Sequence, residues 1–209
     1  MLGALILAGG QSGRIQRDKA LLTLNGKPLL LLAVENLSGV SREIVVVIGK
    51  RADPKKYERF LPTHVRLLRD TESGKGPLMG ILTGMRGLHS KYAVVSPCDS
   101  PFVKKALIQR LVDKVGSAQA VVPRWPNGHI EPLHSIYQVS SAIPAAEASV
   151  AHGELWVADM IKRLRKVTYV KTEELRTVDP SLLSFLNVNT IEDLETARIL
   201  YRDITPSES

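Results

Sequence analysis

Five short runs of apolar, largely β-branched residues constrain this chain most: "ALILA" (4–8), "EIVVVI" (43–48), "VRLL" (65–68), "YAVVS" (92–96) and "QAVVP" (119–123). They are continuous rather than alternating, and a strand without a polar face must be covered on both sides. Segments of helical character lie between them. Residues 28–37 place Pro28 for a first turn, and 76–90 follow as a second segment. Residues 103–116 gather Ala106, Leu107, Ile108, Leu111 and Val112 largely on one side, with Gly116 as a C-cap. Strand and helix alternating in this way predict a mostly parallel, twisted α/β sheet flanked by helices, with right-handed crossovers.

After Pro126 the rhythm changes. Residues 127–138 carry a turn signal and then a strand-like stretch, which predicts a small antiparallel hairpin inserted at the sheet's edge. Val157, Met160, Ile161 and Leu164 recur at helical spacing and predict an amphipathic helix over 157–166 with a basic outer face. A strand "VTYVK", a run "FLNVNT" and a helix "IEDLETARILYRD", acidic in its first turn, complete the chain. The reading is one domain, 1–203, followed by a short polar tail, 204–209.

The single cysteine, Cys98, leaves no internal disulfide and points to a reducing compartment. No apolar run approaches the ~20 residues that span a bilayer, and "MLGALILAGG" lacks the basic start of a signal peptide. A cytoplasmic protein with no membrane partner is expected. The net charge of +7 invites a nucleic-acid reading. The bases are spread along the chain, however, few aromatics interleave with them, and no nucleic-acid-binding motif appears. Small polyanions such as nucleotides suit the same charge, and no nucleic-acid partner is expected.

In parallel sheets ligands bind at the carboxyl ends of the strands. That selects the loop after residue 8, the residues after 48, Arg69 and Asp70, and 97–100. The first of these loops, "GGQSGRIQRDK" (9–19), carries two arginines and a lysine against one acid. It matches neither the Walker A pattern nor the G-x-G-x-x-G dinucleotide pattern. Gly9, Gly10 and Gly13 allow backbone N–H groups to turn inward as an anion nest, while Arg14 and Lys19 add charge. On these residues alone, a plain turn and a phosphate cradle both remain open.

"LILAGGQSGRIQRDKALLTLNGKPLL" resembles the nucleotidyltransferase signature in the Asp-Lys form of the molybdenum cofactor guanylyltransferases, the MobA-like family. Ile15 and Gln16 depart from its usual methionine and glycine. "SPCDSPF" (96–102) resembles the family's P-C-D-x-P segment, and "FLNVNTIEDL" (185–194) its closing N-V-N-T-P-E-D-L, with Ile191 in place of proline. "NGHIEPLHSIY" resembles D-G-x-x-Q-P-L-x-A-L-Y, with Asn127 and Glu131 as departures. The motifs stand in the family's order.

The resemblance implies a single-domain Rossmann-like nucleotidyltransferase that moves GMP from GTP onto the phosphate of molybdopterin, loaded with molybdenum or tungsten, and releases pyrophosphate. Asp99 would hold Mg2+, a hard cation satisfied by one or two carboxylates plus phosphates. Its alternative is an N-cap for the helix near Val103, a role Ser100 could also take. Arg14 and Lys19 would act on the phosphates. Leu7, Ala8, Gly9, Gly10, Gly13, Ile48 and Asp70 would hold the nucleotide, with Asp70 accepting both N1–H and N2–H of guanine. Asn187 and Asn189, two apart in an extended segment, would face the acceptor, and Thr190 would cap the last helix.

Other acceptors on the same scaffold stay open: molybdopterin cytidylyltransferase, adenosylcobinamide-phosphate guanylyltransferase and phospholactate guanylyltransferase. So does a nucleotide-binding partner protein without catalysis, to which Gln16, Ile48 and Glu131 point. A cofactor-delivery protein or apoenzyme is a further partner left open, with the basic face of 157–166 as its candidate docking surface. His129 and His134 lie on opposite faces if their segment is a strand, and Cys98 reads as a small buried residue.

Overall fold

A computed structural model describes residues 2–9, 18–72 and 76–204. The chain opens with β1 (Leu2–Ala8) and, after a 3-10 turn (Lys19–Leu21), forms β2 (Thr23–Leu24) and β3 (Lys27–Pro28), an antiparallel pair. Then come α1 (Leu29–Ser38), β4 (Glu43–Ile48), α2 (Lys55–Glu58), β5 (Arg66–Arg69), α3 (Gly76–Arg86), β6 (Tyr92–Pro97), α4 (Lys105–Asp113) and β7 (Ala120–Arg124). The remainder adds β8 (Ile136–Gln138), α5 (Val139–Ala151), α6 (Val157–Lys162), β9 (Val167–Lys171), α7 (Thr172–Leu175) and α8 (Ile191–Ile204).

Seven strands form one sheet in the order β5-β4-β1-β6-β8-β7-β9, and every neighbouring pair is parallel except the two made by β8. The continuous apolar runs are explained by burial on both faces. Ala4, Ile6 and Ala8 of β1 pack with Ile44, Val46 and Ile48 beneath α1 and α4. Leu5, with Val45 and Val47, packs beneath α3, α5 and α6. On that second face α3 lies so close to β1 that a Cβ on Gly84 would stand 2.1 Å from Leu5 Cδ1. A third, smaller core joins Leu24, Leu29, Phe102, Val188 and Leu194, and so fastens α8 and the preceding strand-like segment to the sheet's upper edge.

The predicted hairpin exists as β7 and β8, but it is not at the edge. β8 is inserted between β6 and β7, and β9 forms the edge. The reason lies in Ile136 and Tyr137, which are both fully buried, one in each of the two main cores. A strand apolar on both faces belongs inside a sheet. Two helix ends also differ from expectation. Pro28 is extended (φ −58°, ψ 143°) and precedes α1 as its N-cap. Lys114 caps α4, and Gly116 (φ +46°) turns the chain two residues later.

The chain runs from β1 outward through β4 to β5, then crosses back to β6 on the other side of β1. Neighbouring strands whose connections leave in opposite directions open a crevice at their carboxyl ends. Here those strands are β1 and β6. No helix among the described residues is long and apolar enough to cross a membrane.

Candidate active site

The two segments leaving this crevice meet across it. Lys19 Nζ donates to Asp99 Oδ2 at 2.9 Å and to Asn189 Oδ1 at 2.7 Å. Three residues from three separate sequence motifs therefore share one ammonium group. The pair is shielded but reachable, with side-chain exposures of 11% for Lys19 and 16% for Asp99.

Each partner is fixed by its own local structure. Asp18 is the N-cap of the Lys19 turn: its Oδ1 accepts from Ala20 N at 3.1 Å, and its Oδ2 accepts from the Tyr57 hydroxyl. Burial and the Asp18 carboxylate push the Tyr57 phenol well above its ordinary range, so it remains a donor. Asp99 directly follows Cys98, whose N–H donates to Leu7 O across the sheet at 3.0 Å. Its own carbonyl accepts from Val188 N at 2.8 Å. The capping role is not what Asp99 does, because α4 starts later, with Lys104 as its N-cap and Ser184 Oγ accepting the Lys104 N–H. Cys98 is buried, and burial foremost raises its thiol pKa, which suits packing rather than chemistry.

The segment 187–189 alternates as an extended strand does. Val188 is fully buried in the third core, while Asn187 and Asn189 point to the Asp99 side. Their amides differ in use: Asn189 faces Lys19, whereas Asn187 Oδ1 accepts from the buried Ser100 hydroxyl. Thr190 caps α8 as expected. Its Oγ1 accepts from Asp193 N at 3.1 Å, and Asp193 Oδ2 accepts from the Asn189 and Thr190 amides at 2.8 Å each, a reciprocal capping box. Those amides, Asn189 first, hold the Asp193 carboxyl below its ordinary value.

At the nucleobase end, Asp70 leaves β5 with its N–H donated to Ile48 O at 2.8 Å. Thr83 Oγ1 donates to Asp70 Oδ1 at 3.2 Å, and burial raises the carboxyl against the pull of the Thr83, Thr71 and Glu72 donors. Neighbouring Arg66 pairs instead with Glu43, at 2.9 Å. Ile48 ends β4 at the same strand edge. Its side chain is fully buried in the core, so its backbone is what a contact at this position would use. Ala8 is buried as well and Leu7 half-buried, which leaves Gly9 exposed. A Cβ on Gly9 would lie 3.2 Å from Gly49 N, so β1 and β4 end in close backbone approach. Gly10, Gly13, Arg14, Ile15 and Gln16 lie outside the described residues.

Reading the sequence missed a buried chain behind Asp99. His134 Nε2 lies 3.0 Å from Ser100 Oγ, and Glu131 Oε2 lies 3.7 Å from His134 Nδ1. Glu131 Oε1 also accepts from Trp125 Nε1 at 2.7 Å. Burial acts to raise the Glu131 carboxyl, but the His134 and Trp125 contacts outweigh it and hold the carboxyl below its ordinary value. His134 is buried and His129 exposed, on opposite sides of Glu131. No local periodicity marks these residues, since Ser100 and His134 are 34 positions apart.

Asp99 supplies one hard oxygen donor, a carboxylate beside the Lys19 ammonium. Among the described residues no group of three or more His, Cys, Asp or Glu side chains could hold a metal ion by itself. The donor set fits Mg2+ completed by substrate phosphates, not an all-protein cage.

Residues 4–168 match the family described as MobA-like NTP transferase domain. A probable molybdenum cofactor guanylyltransferase from Methanosarcina mazei is 32% identical over 92% of this chain and 88% of its own length. A molybdenum cofactor guanylyltransferase from Desulfosudis oleivorans is 31% identical over 92% of each. Among solved structures, molybdopterin-guanine dinucleotide biosynthesis protein A from Archaeoglobus fulgidus superposes with a TM-score of 0.78 at 29% identity, covering 97% of this chain and all of that one. With the family's motifs converging on a single crevice, the chain belongs to the MobA-like nucleotidyltransferases.

Proposed function

We propose that this enzyme transfers GMP from GTP to the terminal phosphate of molybdopterin, giving the guanine dinucleotide cofactor and pyrophosphate. The observation that supports the reading is the Lys19–Asp99–Asn189 cluster, in which one ammonium group meets a carboxylate and an amide oxygen; on this reading they serve as phosphate-binding cation, metal ligand and acceptor-side contact.

A phosphate monoester is already anionic, so the attack on the α-phosphorus needs no general base. The protein's work is alignment and charge neutralisation. Lys19, held by the Asp18 cap, donates to the α-phosphate as charge moves toward the leaving pyrophosphate. Arg14 and the Gly9, Gly10 and Gly13 amides take the β- and γ-phosphates. Asp99 would hold Mg2+, which would supply neutralisation of phosphate charge. Asp70 reads the guanine edge at the ends of β4 and β5, with the backbone of Leu7, Ala8, Gly9 and Ile48 forming the floor. Asn189, and Asn187 through amide hydrogens that no hydrogen bond among the described residues uses, border the acceptor.

Reading guanine through Asp70 requires a donor pair on the base, which cytosine does not offer. The basic side of α6 is a weaker surface for a partner protein: Lys162 is paired with Asp159 and Arg163 with Glu154, both at 2.8 Å. The test is pyrophosphate release with Mg2+ and molybdopterin, run in parallel with GTP, CTP and ATP. Release with GTP alone is expected. Release with CTP alone moves the enzyme to cytidylyl transfer, and release with no nucleotide removes molybdopterin as the acceptor.

A further inference from the structure

The Asp99 carbonyl accepts from Val188 N, whereas Ser100 after it makes its hydrogen bonds, among the described residues, through its side chain. Ser100 is fully buried, and its hydroxyl stands between His134 Nε2 and Asn187 Oδ1. The hydroxyl proton goes to the Asn187 carbonyl oxygen, so Nε2 carries a hydrogen and donates to Ser100 Oγ. His134 itself is gripped from two sides. Phe185 meets its ring edge-on at 5.3 Å between centroids, and the same Phe185 meets Trp125 at 5.7 Å. Glu131 stands 3.7 Å from the Nδ1 side, and Nδ1 is buried without a hydrogen-bond partner among the described residues.

The two ends of this chain are the two segments that meet at Lys19. Ser100 adjoins Asp99, and Asn187 is two residues from Asn189, with Val188 N donated to Asp99 O between them. A rotation of the His134 ring therefore acts on both partners of the Lys19 ammonium at once. We propose that His134 is a positioning residue of the active site: through Ser100 and Asn187 it sets the placement of the Asp99 carboxylate and of Asn189, with Phe185 packed edge-on against its ring and the Glu131 carboxylate beside it. The inference rests on the reading of Asp99 as the metal-binding carboxylate. Neither the fold nor the transfer reaction by itself requires a histidine at this place; what the Ser100 hydroxyl takes from it is one N–H donor.

The test is Mn2+ binding, followed by electron paramagnetic resonance in the presence of GTP, for the wild-type protein, His134→Leu, His134→Gln, Ser100→Ala and Asp99→Ala. Partners that hold a metal ligand in place are worth 10- to 100-fold in metal affinity. His134→Leu and Ser100→Ala are expected to weaken Mn2+ binding by roughly 10-fold. His134→Gln, whose amide can donate from near the Nε2 position, is expected to stay within about 3-fold of wild type. The His134→Leu/Ser100→Ala double variant should be no worse than either single one, because both cut the same chain. Circular dichroism and thermal melts confirm that each variant is folded.

Wild-type Mn2+ affinity in folded His134→Leu overturns the inference, and so does a loss in His134→Gln as large as that in His134→Leu. Unchanged binding in Asp99→Ala overturns the metal role beneath it. Loss in Asp99→Ala with none in His134→Leu overturns the positioning role alone.

Discussion

Replacing Lys19 with methionine removes the ammonium while keeping most of the side chain's length and apolar volume. Two effects of different size follow. On stability, the variant loses the 2.9 Å contact to Asp99 and the 2.7 Å contact to Asn189. A hydrogen bond to a charged group contributes about 1.5–3 kcal/mol when well shielded, and the 11% and 16% exposures admit some solvent screening. The discounted coupling is about 1–2 kcal/mol, or roughly 3–6 °C in melting temperature for a chain of this size. On catalysis, the loss of one preorganised charge at a phosphoryl centre costs roughly 100- to 1,000-fold in kcat, about 3–4 kcal/mol.

Urea unfolding and pyrophosphate release separate the two effects. In the cycle with Asp99→Asn, the double variant should be more stable than the sum of the single losses by about 1–2 kcal/mol, since neither charge is then left unpaired. Pyrophosphate release within fivefold of wild type in Lys19→Met, or a strictly additive stability cycle, refutes the reasoning.

Asp70→Asn keeps the shape of the side chain but replaces one acceptor with a donor. It should raise KM for GTP by roughly 10- to 100-fold with little change in kcat, read from initial rates of pyrophosphate release. Gly84→Ala forces a methyl group against the fully buried Leu5, and overpacking of this kind should cost about 1–3 kcal/mol in urea unfolding with nucleotide specificity unchanged. Asp193 has a depressed carboxyl pKa in the folded chain, so its contribution to stability is present above the unfolded value and is lost as pH falls through the folded one. Asp193→Asn should therefore be less stable than wild type by about 1 kcal/mol at pH 7, with the gap closing below about pH 4; a pH-independent difference in urea midpoints contradicts the capping box.

The sheet was legible because its cause is local. Runs such as 43–48 and 92–96 lack a polar face wherever they stand in the chain, and burial on both faces is the only place for them. The apolar spacing of Val157, Met160, Ile161 and Leu164 is of the same kind, and all four are buried, although α6 ends at Lys162, short of the expected 166. The strand-edge rule marked the loop that ends at Lys19 and the residues 97–100, and the resemblance to the family's motifs added Asn189. The place of β8 was not legible, since three residues are too short for a period to show, and only the two cores on either side of it admit Ile136 and Tyr137 inward.

Who bonds to whom in the site belongs to the tertiary structure alone. Lys19 and Asn189 are 170 residues apart, and nothing in either neighbourhood distinguishes an asparagine that meets an ammonium group from one that meets a serine hydroxyl. The same holds for His134, which the sequence sets only on the face opposite His129 and which becomes the buried neighbour of Ser100 only when β8 enters the sheet beside β6. The sequence by itself determined the layered α/β architecture, the ligand-bearing edge and the residue types gathered there, because periodicity and backbone propensity act over a few neighbours. The crossing back from β5 to β6 decided which of those residues share one crevice, because hydrogen bonds between side chains depend on distances that only the packed sheet sets.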